Sequence, residues 1–253
     1  MRLLIDIGNT SIKWSIEHNS TRSDMQVIKY KRENILGTLK SEVFNREKPA
    51  SFEEIAVSNV AGIDVENQLQ ELFKDAKKVV FAIASKKFDG LENAYNKPAQ
   101  LGVDRWLALI AACQFDNDVV CVMDFGTAIT IDVIVDQSKF IGGVILPGLG
   151  LMESCLFNNA NQIYDSNRQE SITLYSRNTS QAVKSGCMFA AAGVATKMIN
   201  QLVLEYGEPV HCVLTGSDAS FVSPYLPVPS IIIPDLVLQG LSKYCDTRQH
   251  ITK

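Results

Sequence analysis

Apolar positions along the chain fall into short blocks with two different spacings. Residues 3–7 (LLIDI) and 11–17 (SIKWSIE) flank the polar stretch Gly8-Asn9-Thr10 and predict a β-hairpin, with a further strand near 25–30. Residues 34–47 read as a helix, 53–60 (EEIAVSNV) as a strand, 64–73 (DVENQLQELF) as a helix and 77–84 (KKVVFAIA) as a strand. Residues 85–101 are polar and contain Gly90 and Pro98, which predicts a loop. The segment 104–115 (DRWLALIAACQF) is apolar at 106, 107, 109, 110 and 113, the spacing of a helix.

The pattern then restarts. VVCVM (119–123) predicts a strand, DFGTA a turn, ITIDVIV (129–135) a strand, and FIGGVIL another. SQAVKSGCMFAAAGVATKMINQLVLEY reads as one long helix, HCVLTG as a strand and DASFVSPYL as a short helix; SIIIPDLVLQGLSKY closes the chain. Asp6-Ile7-Gly8-Asn9-Thr10 recurs 118 residues later as Asp124-Phe125-Gly126-Thr127-Ala128, each copy between two apolar strands. This predicts an α/β protein duplicated at domain scale. The expected domains are 1–116 and 117–253, each a mixed sheet flanked by helices. No low-complexity linker separates them, so close packing around a cleft is expected.

Composition narrows the chemistry. At 253 residues the chain can bury roughly three quarters of its unfolded surface. A net charge of -4 provides no general attraction for nucleic acid. The six cysteines form no C-x-x-C pair and the three histidines show no ligand spacing, so a zinc site or disulfide framework is not expected and a reducing cytoplasm is. Asp6 interrupts the first apolar run, unlike a signal peptide. FIGGVILPGLGLM is too short and too rich in Gly and Pro to span a bilayer, which needs about 20 residues, so no membrane partner is expected.

A strand ending in Asp-x-Gly has two readings. It is a plain hairpin turn, or it is a phosphate cradle whose backbone N–H groups and hydroxyls hold oxygens while the carboxylate holds a cation. Two copies at matching places favour the second. Asp124-Phe125-Gly126 is also the protein-kinase triplet, but neither an H-R-D loop nor a Gly-rich loop accompanies it, and no P-loop motif occurs.

In GVDRW (102–106), Asp104 opens a helix as an N-cap, and Arg105 is a cation where the helix dipole disfavours one. Either this is a capping Asp beside a solvated Arg, or Arg105 grips a substrate carboxylate while Asp104 accepts a proton from a substrate hydroxyl. GGVILPG (142–148) is a Gly/Pro turn. In NTSQAVKSG (178–186), Thr179 or Ser180 caps a helix. LTGSDA (214–219) is a strand–turn–helix able to lie against a nucleoside.

IDIGNT (5–10), AYNKPAQLGVDRW (94–106), VMDFGTAITID (122–132), GGVILPG, NTSQAVKSG and PDLVLQGL (234–241) together resemble the type III pantothenate kinases, members of the acetate- and sugar-kinase/actin-like superfamily. The resemblance spans nearly the whole chain. It implies two actin-like (ribonuclease H-like) domains and the phosphorylation of pantothenate by ATP to 4'-phosphopantothenate in coenzyme A synthesis. It further implies that Asp6, Ile7, Gly8, Asn9, Thr10, Ser11, Ile12 and Lys13 bind ATP phosphates, with Asp6 near Mg²⁺. Gly102, Val103, Asp104, Arg105 and Tyr95 would bind pantothenate, with Asp104 the proton acceptor. Asp124 would hold K⁺ or NH₄⁺, Thr127 would contact ATP, and Thr179 would reach pantothenate from the partner of a homodimer. One position departs from the pattern: Ser217 follows Gly216 where a second glycine is usual, which touches the adenosine contact. Two rivals remain at this point, a transcription accessory protein of the same family and a kinase or phosphatase acting on another small molecule.

Overall fold

The computed structural model describes residues 1–19, 21–45, 48–159, 171–207 and 209–251. In chain order its elements are β1 (Arg2–Ile7), β2 (Ser11–His18), β3 (Thr21–Arg22), β4 (Gln26–Lys29), α1 (Ile35–Thr38), β5 (Glu54–Asn59), α2 (Ile63–Leu72), β6 (Val79–Phe81), β7 (Lys87–Phe88), β8 (Leu91–Asn93) and α3 (Val103–Ala112). There follow β9 (Val119–Phe125), β10 (Ala128–Val135), β11 (Lys139–Pro147), α4 (Leu149–Asn159), α5 (Thr179–Tyr206), β12 (Val210–Thr215), α6 (Ala219–Val222), β13 (Ser230–Ile232) and α7 (Leu236–Ile251). The chain divides into two compact units, Met1–Gln114 with Asp235–Lys253, and Phe115–Pro234.

In the first unit the strands run in the order β3-β2-β1-β5-β6, with β4 also paired to β2. β1 is antiparallel to β2 and parallel to β5. A strand covered on both faces reads as a continuous apolar run, as residues 3–5 do. Alternation then sorts its side chains. Leu3, Ile5 and Ile7 join Ile35, Leu39, Val65 and Leu69 from the helices on one face. Asp6 belongs to the opposite face, on whose side α3 and α7 pack.

The second unit repeats this plan. Its strands run β13-β12-β9-β10-β11, with β9 antiparallel to β10, β10 antiparallel to β11, and β12 parallel to both β9 and β13. An antiparallel meander followed by parallel steps is therefore present in both. Met123, Phe125, Ile129 and Ile131 form its core with Val183, Cys187, Ala191 and Ile199 of α5. By length and composition α5 could cross a membrane, but this face of it is core.

Several expectations change. The predicted loop 85–101 contains the β7–β8 hairpin, turned by Asp89 and Gly90 at φ 49° and 87°. The helix expected over 34–47 is irregular, with α1 followed by a wide-turn stretch, Leu39–Val43; residues 46 and 47 lie outside the described residues. β9 continues through Asp124 to Phe125; β11 runs on to Pro147 through the stretch 142–148 expected to turn, and α4 follows it, where no element was expected. The closing helix α7 groups with the first unit, although the expected second domain ran to 253. It does so because it crosses α3 at Gly240, where a Cβ would collide with the Leu107 carbonyl.

Arg2 fastens α7 to the first sheet. Its Nε donates to Glu54 (2.7 Å), and its Nη1 donates to Glu17 and Asp246 (2.8 Å each). Burial alone would raise the Glu54 carboxyl, but Lys78 and Arg2 outweigh it and hold the group below its ordinary value. Arg2→Met is expected to cost roughly 2–4 kcal/mol, because two largely buried carboxylates lose their partner while Lys78 still serves Glu54. Chemical denaturation checks this. The Glu54 contribution should be present above pH about 4 and fade as pH falls through the lowered folded-state value.

Candidate active site

In the first unit, the Asp6 carboxylate accepts a hydrogen bond from Ser58 Oγ (2.8 Å), and both residues are buried. Register places them side by side on β1 and β5, with Lys13 facing Asp6 from β2. The turn that follows is closed by Gly8 N–H donating to the Ser11 carbonyl (3.0 Å), and Tyr30 Oη donates to the Gly8 carbonyl (2.7 Å). Burial pushes the Asp6 carboxyl up; Lys13 opposes this, Asp104 adds to it, and the Ser58 bond opposes it. Asp6 and Asp104 are thus within electrostatic reach, with Lys13 acting on both.

α3 begins at Val103, with Gly102 as its N-cap. Asp104 is therefore inside the first turn and is not the cap expected above; its Oδ1 accepts from the Arg105 N–H (2.8 Å). A Cβ at Gly102 would lie 2.6 Å from Asp104 Oδ1, so any larger residue there would displace the Asp104 carboxylate. Burial pushes the Asp104 carboxyl up, against the Arg105 N–H and the Arg105 and Lys13 charges. Arg105 is 7% exposed, so it is not the solvated cation of the first alternative above. Its Nη1 donates to Tyr95 Oη (3.0 Å), and its guanidinium lies 5.8 Å from the Tyr95 ring centre.

In the second unit three segments converge on one turn. Gly126 N–H donates to the Ala128 carbonyl (3.1 Å), Gly148 N–H to Thr127 (2.9 Å), and Asp218 N–H to Phe125 (2.9 Å). Gly148 has no room for a Cβ, which would strike the Gly126 carbonyl. Gly216, at φ +94°, comes so close that a Cβ would strike Asp124 Oδ1 and the Phe125 carbonyl. Asp124 pairs in register with Thr215 and Thr130, the positions that Ser58 and Lys13 hold around Asp6. The two turns therefore share a plan but differ in charge: a lysine faces the first carboxylate and a threonine the second.

A model of the type III pantothenate kinases matches residues 2–201. The chain belongs to the type III pantothenate kinase family. It is 36% identical over 248 residues to a type III pantothenate kinase of Azoarcus sp. (strain BH72), covering 96% of this chain and 89% of that one. It is 32% identical over 250 residues to one from Nitrosococcus oceani, covering 96% and 93%. Among solved structures it is similar to a Campylobacter jejuni protein assigned to the Baf family of transcriptional activators (TM-score 0.63, 20% identity, 98% and 99% covered). A Listeria monocytogenes protein assigned as an N-acetylmannosamine kinase also matches (TM-score 0.55, 13% identity, 98% and 99% covered). These two likenesses bear on the fold alone.

Of the site residues expected for this family, Asp6 through Lys13, Tyr95 and Gly102 through Arg105 all belong to the first unit, and Asp124, Thr127 and Thr179 to the second. Thr179 does not cap α5. Asn178 does, its backbone extended at φ -145° and its side chain accepting from the Gln181 N–H (2.8 Å); Thr179 is the first helical residue and is left exposed. Thr179 borders an apolar cavity of about 820 Å³ between α4 and α5, lined also by Leu151, Cys155, Leu156, Val183 and Cys187. Ser217, which stands where a second glycine was expected, is exposed; Gly216 beside it packs against Asp124 and Phe125. Sequence reading missed Ser58, whose signal was a hydroxyl inside the apolar run EEIAVSNV, and Asn93.

The donor set limits which metals fit. Among the described residues no three His, Cys, Asp or Glu side chains cluster. A lone buried carboxylate such as Asp6 suits Mg²⁺ that arrives with a polyphosphate and keeps several waters. Asp124, with hydroxyl residues beside it in register, suits a hard cation held by oxygens.

Proposed function

We propose that this chain transfers the γ-phosphoryl group of ATP to the primary hydroxyl of pantothenate, giving 4'-phosphopantothenate and ADP in coenzyme A synthesis. The observation that carries the chemistry is the pairing of Asp104 and Arg105 on the first turn of α3, with Lys13 within electrostatic reach. Arg105 grips the pantothenate carboxylate through its planar fork, aided by the helix N-terminus. Asp104 takes the proton from the hydroxyl as its oxygen attacks phosphorus, and the ADP oxygen leaves. Lys13 and the turn from Asp6 to Ser11 hold phosphate oxygens, and Thr127 contacts ATP. Asp6 would hold Mg²⁺ and Asp124 would hold K⁺ or NH₄⁺; bound, these ions would offset the charge of the phosphates. The threonine facing Asp124, where lysine faces Asp6, supports an added cation there.

The same reading makes the protein a cytoplasmic homodimer. All six cysteines are free thiols. The apolar cavity beside Thr179 and the exposed Leu151 and Leu156 suit cover by a second copy. Sedimentation should then give twice the chain mass of 27.9 kDa.

ADP release by the purified protein, with ATP, Mg²⁺ and pantothenate, with and without K⁺, tests the activity. Pantothenate-dependent release that rises with K⁺ is the expected result. Release that is absent, or independent of pantothenate, from folded protein would overturn it.

Charge around Asp104 gives a pH prediction. Lys13 lowers the Asp104 carboxyl, so Lys13→Met should raise it further. Protonated Asp104 accepts no proton, so the acid limb of kcat/KM for pantothenate, measured at saturating ATP, should move to higher pH. A limb that stayed in place or moved down would show that Asp104 does not set it.

A further inference from the structure

Asn93 lies at the end of β8, 1% exposed, in the segment expected to be loop. Its backbone N–H donates to the Lys86 carbonyl (2.9 Å), and its own carbonyl accepts from Lys86 Nζ (2.7 Å). Its side chain makes two further bonds. Oδ1 accepts from the Tyr95 N–H (2.9 Å), and Nδ2 donates to the Ser85 carbonyl (3.1 Å). The partners settle the amide's orientation, because a backbone N–H only donates and a carbonyl only accepts.

The bond from Oδ1 to the N–H two residues on is the Asx turn, which fixes where the chain heads after the strand. Here it directs Tyr95. Tyr95 presents its hydroxyl to Arg105 Nη1 at 3.0 Å and its ring to the guanidinium. Arginine has several rotatable bonds, and holding its fork in one pose requires neighbours that are themselves fixed. Tyr95 is only partly buried, so its backbone anchor matters.

The geometry points to Asn93 as a positioning residue for substrate-carboxylate recognition: its buried amide sets Tyr95, and Tyr95 sets the Arg105 guanidinium. The statement about substrate rests on the pantothenate reading; the relay Asn93–Tyr95–Arg105 does not, and its parts all belong to the first unit. Asn93 touches no reacting atom. It acts on binding of the anionic end, so its loss should appear in one KM and not in the chemical step.

Steady-state kinetics of Asn93→Ala, Tyr95→Phe and the double variant test this. Expected is a rise in KM for pantothenate on the order of tenfold for each single variant, with kcat and KM for ATP within about twofold. The double variant should be little worse than either single one, because both break one relay. An unchanged KM for pantothenate in folded Asn93→Ala, or fully additive effects, would overturn the inference, as would equal losses in kcat and both KM values. If Asn93→Ala does not fold, Asn93→Asp keeps the acceptor for Tyr95 N–H, loses the donor to Ser85 and sets a carboxyl group against the Ser85 carbonyl. Its KM should stay closer to wild type than that of Tyr95→Phe, and the reverse order would overturn the relay.

A second readout needs no substrate. The Arg105 Nε–H resonance of the ligand-free protein, assigned through Arg105→Lys, should shift or broaden in Tyr95→Phe and in whichever Asn93 variant folds. An unmoved resonance would overturn the relay. Wild-type protein without pantothenate-dependent turnover would instead count against the function proposed above, leaving the resonance to decide the relay.

Discussion

Asp104→Asn should lower turnover by about 10²–10⁴-fold, the usual range for loss of a positioned general base. ATP binding, followed by calorimetry, should change little. The amide fits the same space under Gly102 and still offers an oxygen to the Arg105 N–H, so the start of α3 survives. Stability should hold or rise slightly. Burial raises the Asp104 carboxyl in the folded state, so the charged form at neutral pH costs stability, and the neutral amide removes that cost. A variant with near-normal turnover would remove Asp104 from the proton path. A variant that lost ATP binding as well would show that its role lies in assembling the site.

Gly216→Ala should have the next largest effect. The residue sits at φ +94°, where an L side chain costs roughly 1–2 kcal/mol in strain. Its Cβ would also strike Asp124 Oδ1 and the Phe125 carbonyl, and the latter is backbone with little freedom to retreat. The second unit should lose about 2–4 kcal/mol in total, visible as a lower thermal midpoint. Because the collision falls on the carboxylate proposed above to hold the monovalent cation, the K⁺ concentration for half-activation should rise on the order of tenfold. Ser217→Ala, one position on and exposed, serves as the comparison and should leave both readouts alone. Normal K⁺ activation in Gly216→Ala would place the cation elsewhere.

Much of this arrangement was legible in the sequence because it is written in local period. The two Asp-x-Gly turns stand between apolar strands, and their duplication appears in the structure as matched strand order and matched register. What escaped was encoded otherwise. α4 follows Pro147-Gly148, and LGLMESCLFNN has apolar residues on every side, so periodicity gave no face. The β7–β8 strands are two and three residues long, and only Asp89-Gly90 marked the hairpin. Ser58 shows as a polar residue in an apolar strand, but its place beside Asp6 depends on pairing β1 with β5 across 52 residues of chain. Asp104 looked like an N-cap because its type is favoured there; the backbone of Gly102 takes that position instead.

The assignment of α7 to the first unit bears on how the protein is made. Residues 115–234 are contiguous, whereas the first unit needs Asp235–Lys253 to be complete. On the ribosome, then, the unit begun second is the first to have all its parts. Until α7 emerges, the surface of α3 that Gly240 is shaped to meet at Leu107 stays bare, and Arg2 lacks Asp246. A nascent chain arrested before residue 235 would carry a finished second unit joined to an open first one, a form in which chaperones and proteases find apolar surface that the mature protein hides.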